Sequence, residues 1–271
     1  MFYVTCASII IVKEIYAKLK LFKRDPFGHF IFLKKILVSL IGFFTYSKFN
    51  VRNTLHIHGE EHLANLPATG VLFVSNHQTY FADVIALLHV FVRVKAKVNV
   101  RNRPPFYLFR PSVNNYFIAA QETMKDGLIP RIFAYAGSIS IKRTFREGGQ
   151  DINRKVEMKD ITNIGIALND GWVITFPQGT TKPFAKGRRG TAHLIKKYKP
   201  IVVPVVIGGF NQAFDKKGLR NKRKDINLTL RFKPPLQLTY QEEADQLLER
   251  LMYAIEQSPE HAALKEEKAV F

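Results

Sequence analysis

One histidine and one aspartate are the residues best placed in this sequence to do chemistry. They lie in Val71-Leu72-Phe73-Val74-Ser75-Asn76-His77-Gln78-Thr79-Tyr80-Phe81-Ala82-Asp83. Four apolar residues there read as a buried strand, which Ser-Asn breaks. A His held by a carboxylate at the end of a strand is arranged as a general base. The carboxylate fixes the ring tautomer and stabilises the imidazolium as it forms. No Gly-x-Ser-x-Gly lies downstream, so such a base would activate a substrate hydroxyl and not a serine of the protein. A surface His beside a helix-capping Asp is the plainer reading of the same pair.

Two further stretches carry anion-binding chemistry. In Gly137-Ser138-Ile139-Ser140-Ile141-Lys142-Arg143 a short alternating strand ends on two cations. Strand ends in α/β sheets are where ligands bind, and a guanidinium can hold a phosphate with two parallel bonds. Farther on, Trp172–Phe176 reads as a buried strand running into Pro177-Gln178-Gly179-Thr180-Thr181. That tight turn offers backbone N–H groups to an anion, with Lys182, Lys186, Arg188 and Arg189 close behind it and a helix start near Gly187 or Gly190. His56 and His58 share a face two residues apart, but no third metal ligand accompanies them, so no metal site is expected.

The elements that must position these groups alternate from Leu55 onward. Strands are expected at Leu55–Gly59, Val71–Val74, Lys95–Val100, Gly137–Arg143, Trp172–Phe176, Ile201–Ile207 and Leu228–Phe232, the first and last as edge strands. Helices are expected from Asp83 to about Phe91, over Phe106–Met124, over Lys155–Asn169 ending at Gly171, over Thr191–Tyr198 and over Glu242–Gln257, with a frayed last dozen residues. The pattern predicts an α/β fold: a mixed, largely parallel central sheet flanked by helices, preceded by a membrane-associated two-helix segment. The division is residues 1–50 for that segment and 51–271 for the α/β domain.

Residues 1–50 differ from the rest. Met1–Val12 is apolar but too short to span, and a stretch with several lysines comes next. His29–Tyr46 is apolar except for Lys34-Lys35. As a helix it would be roughly 27 Å long, just under a bilayer core of about 30 Å, and two adjacent lysines near one third of its length would make a centred span costly. Two helices lying in one leaflet with lysines at the headgroups fit better, giving a monotopic protein on the cytoplasmic face. A helical hairpin packed on the protein's own core is the alternative.

Composition limits the classes. A chain of 271 residues with 46% hydrophobic content buries a proper core. One cysteine excludes a disulfide framework. A formal charge of +19 favours an anionic membrane, an acidic protein or nucleic acid. Nucleic acid is not expected, because no recognised motif is present and aromatics do not interleave with the basic runs Lys186–Lys199 and Lys216–Lys224.

Taken together, the blocks resemble the glycerolipid acyltransferases, of the 1-acyl-glycerol-3-phosphate acyltransferase type. That family shows Asn-His-x4-Asp, Gly-x-x-x-Ile-x-Arg, Phe-Pro-Glu-Gly-Thr and an apolar strand of Val-Pro type. Here, in the same order, stand Asn76-His77 with Asp83, Gly137 to Arg143, Phe176-Pro177-Gln178-Gly179-Thr180, and Val203-Pro204-Val205. The resemblance covers roughly residues 55–240. It implies transfer of an acyl group from acyl-CoA or acyl carrier protein to a lysolipid hydroxyl at an anionic membrane surface, with no cofactor. In it His77 would be the base, Asp83 its orienting partner, and Arg143 with Lys142 the clamp on an anionic head group, while Gln178, Gly179 and Thr180 would shape the acceptor site. A non-catalytic basic binder is the competing class.

Two departures stand out. Five residues separate His77 from Asp83 where the family has four, and along a helix one extra residue turns a side chain by about 100°. A bulge at Thr79–Phe81 would have to absorb it. Gln178 replaces a glutamate, which keeps an acceptor oxygen and loses the charge. Both point to an altered acceptor, such as a lyso-aminolipid of the ornithine or glycine type.

Overall fold

The computed structural model describes residues 22–97, 105–124, 127–142 and 158–270. Met1–Val12, Arg143, the loop from Arg146 to Gln150 and the start of the helix expected from Lys155 lie outside them. Helix α1 (Ile31–Asn50) leads into strand β1 (Thr54–His58), the one-turn helix α2 (Glu61–Ala64), strand β2 (Val71–Ser75) and helix α3 (Ala82–Lys95). After a 3-10 turn at Phe106–Phe109 come β3 (Asn115–Ala120), α4 (Gln121–Met124), α5 (Leu128–Ala136) and β4 (Ser138–Ile141). Next in the chain are helix α6 (Met158–Asp170), β5 (Trp172–Thr175), α7 (Arg189–Tyr198), β6 (Ile201–Gly208) and α8 (Phe210–Ala213). Strand β7 (Asn227–Phe232) and helices α9 (Ala244–Ala254) and α10 (Pro259–Val270) complete the described chain.

Among the described residues seven strands form one sheet in the order β1-β7-β6-β2-β5-β3-β4. Strands β6, β2, β5, β3 and β4 run parallel, and β7 pairs antiparallel with β6 while β1 runs parallel to β7. The fold is therefore α/β with a mixed, mostly parallel sheet covered by helices. Burial on both faces explains why β2 reads as an unbroken apolar run and not as an alternation. Val71 and Phe73 enter one core with Phe91, Trp172 and Phe232, on the side covered by α1 and α3. Leu72 and Val74 enter the other with Val173, Val202, Ile195 and Leu251, under α6, α7 and α9. Each such large side chain contributes roughly 1.5–3 kcal/mol.

Several elements differ from those expected. Helix α3 continues to Lys95, so the strand expected from Lys95 does not start there. The aromatic-rich Phe106–Met124 is mainly a 3-10 turn and strand β3, whose Tyr116 and Phe117 are buried between β5 and β4. Strand β7 is interior: its alternation records burial on one face, and β1 alone closes that side of the sheet. The terminal residues form α10 and not a frayed end. Lys34 is not at a headgroup. It is fully buried on the domain side of α1, 2.9 Å from Asp25 Oδ2 and 4.5 Å from the Tyr116 ring centre. Burial pushes its ammonium pKa down, against the pull of Asp25. No helix among the described residues is long and apolar enough to cross a membrane.

Candidate active site

The site opens where β2 ends, at the edge onto which all five parallel strands point their C-terminal ends. Asn76 lets the chain leave the sheet there. Its side-chain amide donates to the Ile207 carbonyl at 2.9 Å and its Oδ1 accepts the Ile207 N–H at 2.7 Å, so a side chain continues the ladder to β6. The next residue, His77, lies flat on Phe176, with ring centres 3.9 Å apart and planes 21° from parallel. Phe176 is the residue after β5, the parallel neighbour of β2, so sheet register sets this contact.

His77 Nδ1 is 3.0 Å from Asp83 Oδ2. A carboxylate only accepts, so Nδ1 carries the proton and Nε2 keeps its lone pair. Asp83 is wholly buried, in the first turn of α3. Its Oδ2 also accepts the N–H groups of Gln78 (2.5 Å) and Thr79 (3.1 Å), and its Oδ1 the Thr79 hydroxyl (2.7 Å). Four donors compensate its removal from water and fix its orientation. The result is a partly exposed imidazole, at 13%, whose Nε2 is turned away from the carboxylate that holds Nδ1.

The extra residue between the pair is accommodated because the segment after His77 is not helical until Ala82. A helical rotation does not apply to it. The loop is held from outside by a turn more than 130 residues away. Tyr80 N–H donates to the Lys216 carbonyl at 3.0 Å and Phe81 N–H to the Lys217 carbonyl at 2.9 Å. Gly218, at φ +77°, packs so closely that a Cβ on it would lie 2.5 Å from the Ala82 nitrogen and 2.8 Å from Thr79 Oγ1. Gln78 Oε1 accepts the Phe210 N–H at 2.8 Å. In the sequence Lys216–Lys224 is a basic run suited at most to docking an acyl donor; pairing across such a separation leaves no local signal.

The Pro177–Thr181 turn abuts His77 through Phe176. Gly179 has φ +61°, and its N–H is spent on the Phe176 carbonyl at 2.9 Å, so it is not offered to an anion. The Arg188 guanidinium covers it: a Cβ at 179 would lie 3.0 Å from Cζ. Thr180 is half-buried, its hydroxyl accepting from Lys182 N–H at 3.3 Å. Gln178 is buried and points into the protein. Its amide nitrogen donates to the Ala185 carbonyl (3.0 Å) and to Gln257 Oε1 (3.2 Å), which also accepts the Phe184 N–H (2.9 Å). The glutamine is used here as a donor, which a carboxylate could not replace.

Lys142 comes directly after β4, with its N–H on Asp160 Oδ2 at 2.9 Å. Three strand spacings separate β4 from β2, about 14 Å. The structure thus brings together His77, Asp83, Phe176 and the Gln178–Thr180 turn, and keeps Lys142 on the same edge but apart. His56 Nε2 faces Asn227 Oδ1 at 3.1 Å, and among the described residues no three His, Cys, Asp or Glu side chains gather as a metal site would require.

Comparison with known proteins agrees with this architecture. A family model described as Acyltransferase matches residues 54–208, more than half of the chain. Among solved structures the chain is similar to the 1-acyl-sn-glycerophosphate (LPA) acyltransferase PlsC from Thermotoga maritima. That match has a TM-score of 0.53 and 16% identity, over 96% of this chain and 89% of the other. At such identity the likeness concerns the fold. No curated protein matches.

Proposed function

The chain belongs to the acyltransferase family, and from that premise we propose that it is a lysolipid O-acyltransferase in which His77 is the catalytic base. The supporting observation is the His77 Nδ1–Asp83 Oδ2 contact of 3.0 Å, which leaves Nε2 as a proton acceptor at the strand edge. In the proposed reaction Nε2 takes the proton of the acceptor hydroxyl as its oxygen attacks the thioester carbonyl. A C–O bond forms, the C–S bond breaks, and the thiolate leaves with the proton returned by the imidazolium. Asp83 stabilises that imidazolium, and the proton transfer by His77 is worth roughly 10² to 10⁴ in rate. No acyl-enzyme is needed.

The acceptor we propose is 1-acyl-glycerol-3-phosphate, giving phosphatidate, with acyl-CoA or acyl carrier protein as donor at an anionic membrane surface on the cytoplasmic side. Arg143 with Lys142 remains the proposed headgroup clamp, and Arg188, whose guanidinium lies against the Gly179 turn, is a further cation proposed to face the acceptor. The two sequence departures no longer favour a lyso-aminolipid. The longer His–Asp spacing is absorbed in a loop, and Gln178 faces the protein interior.

The test compares wild type with His77→Ala, using a labelled long-chain acyl thioester and a panel of lysophosphatidate, other lysophospholipids and lyso-aminolipids. We expect transfer to lysophosphatidate that falls by a factor on the order of 10² to 10⁴ in the variant. Transfer undiminished by the substitution would overturn the role of His77; transfer confined to a different acceptor would overturn the phosphatidate assignment.

A further inference from the structure

The apolar outer face of α1 and the basic turn after α8 lie side by side, and neither takes part in the site chemistry. Helix α1 carries large apolar side chains on both sides, with Lys34 buried on the domain side and Lys35 exposed. One side packs on the domain through Val38, Ile41 and Phe49; the other exposes Phe32, Leu33, Ile36, Leu40, Phe43 and Phe44, the last at 75%. Large apolar side chains gathered on the solvent side of a helix mark a surface for a partner such as lipid. Its outer face continues onto the 3-10 turn, where Phe109, 68% exposed, sits 5.3 Å from the Phe43 ring centre.

At the C-terminal end of α1 the character changes from apolar to basic. Lys48, one turn beyond Phe44 on the same side of the helix, donates to the Leu219 carbonyl at 2.6 Å. Leu219 lies in the turn carrying Lys216, Lys217, Arg220, Lys222, Arg223 and Lys224, six exposed cations. The carboxylate just before them, Asp215, is held by the N–H groups of Leu219 and Arg220 at 2.8 and 3.0 Å.

We propose that the 216–224 turn is a docking surface for the anionic headgroups of a bilayer, with the outer face of α1 entering the lipid beside it. Apolar area flanked by clustered cations is the pairing an anionic membrane rewards, with the basic side chains at headgroup level. An acidic carrier protein would engage the cations but leave the phenylalanines without a partner. The same turn supplies the carbonyls that hold Tyr80 and Phe81, so the docked edge is the edge beside His77. This inference rests on the membrane association put forward in the proposed function.

Full-length protein is measured without substrate, by co-sedimentation with phosphatidylcholine vesicles and with vesicles containing about one third phosphatidylglycerol. The first variant carries Lys217→Gln, Lys222→Gln and Lys224→Gln. The second carries Lys159→Gln, Lys197→Gln and Lys199→Gln, which removes equal charge around α6 and α7 on the other side of the sheet. Expected is a loss of affinity for the anionic vesicles on the order of 100-fold in the first variant, little loss in the second, and weak, equal binding to neutral vesicles. Equal losses in both variants, or none in the first, would overturn the proposal. So would unchanged vesicle binding with a raised KM for the acyl donor, which would make the turn a donor-docking surface. Because binding is read without turnover, an inactive protein that still discriminates sinks only the acyl-transfer reading, and an active one that does not sinks only this one.

Discussion

A carboxylate at position 178 would point its oxygens at two other oxygens, the Ala185 carbonyl and Gln257 Oε1, where the native amide donates to both. Gln178→Glu, although it recreates the residue expected from the family resemblance, should therefore destabilise the protein by about 1–3 kcal/mol and not raise activity. A urea-unfolding midpoint beside the transfer rate checks this; a faster, equally stable variant would refute the donor role. The same residue shows how site chemistry divides between sequence and structure. His77 and Asp83 were legible because their side-chain types have few uses at the end of a strand. The direction of Gln178 was not, because it depends on Gln257, which is 79 residues away.

The Lys216-Lys217-Gly218 turn and the 79–82 loop make the corresponding case among elements. Here the left-handed backbone matters: Gly218 has φ +77° and a Cβ on it would collide with the Ala82 nitrogen, whereas Gly70, at φ +76°, has open space where a Cβ would go. Alanine at either position carries the backbone strain, and only the substitution at 218 also collides with the loop that carries Asp83's donors. Gly218→Ala should lower kcat by about 10- to 100-fold with KM little changed and speed hydrogen exchange at the Tyr80 and Phe81 amides. Gly70→Ala should lose stability alone. Equal kinetic effects in the two variants would reject the brace. Strands β2, β5 and β6 were readable because buried parallel strands are unbroken apolar runs. Strand β3 was not, because its aromatic run suits a helix or a strand equally until neighbours pair with it, and β7 was misplaced because alternation reports a buried face and not a free edge.

Across the whole molecule, α1, α3 and the 3-10 turn meet at His89. It is buried between Thr45 Oγ1 (2.9 Å) and the Tyr107 hydroxyl (2.8 Å), and burial pushes its pKa down to about 4. An unfolded histidine titrates near about 6.5. As pH falls below that value the unfolded chain takes up a proton that the native one refuses until about pH 4. His89 should therefore subtract stability progressively between about pH 6.5 and pH 4, reaching roughly 3 kcal/mol, and contribute no slope above. Unfolding midpoints of wild type and His89→Gln across that range test this: the variant should start less stable near neutrality and lose less on acidification, and parallel curves would refute it.

The sequence by itself determined the features that depend only on residue type and short-range period. Those comprise the α/β class, the central strands, a histidine and a carboxylate at the end of β2, a turn after β5, and the acyltransferase resemblance that the family match bears out. Tertiary structure alone decided that five intervening residues still bring His77 to Asp83, that Gln178 serves the scaffold, that Lys34 turns inward to Asp25, and that a basic run braces the loop between His77 and Asp83. The physical reason is range. Hydrophobic period and turn chemistry act within a few residues, while a loop's shape is set by whichever carbonyls and amides the folded chain brings opposite it, here from more than 130 positions away.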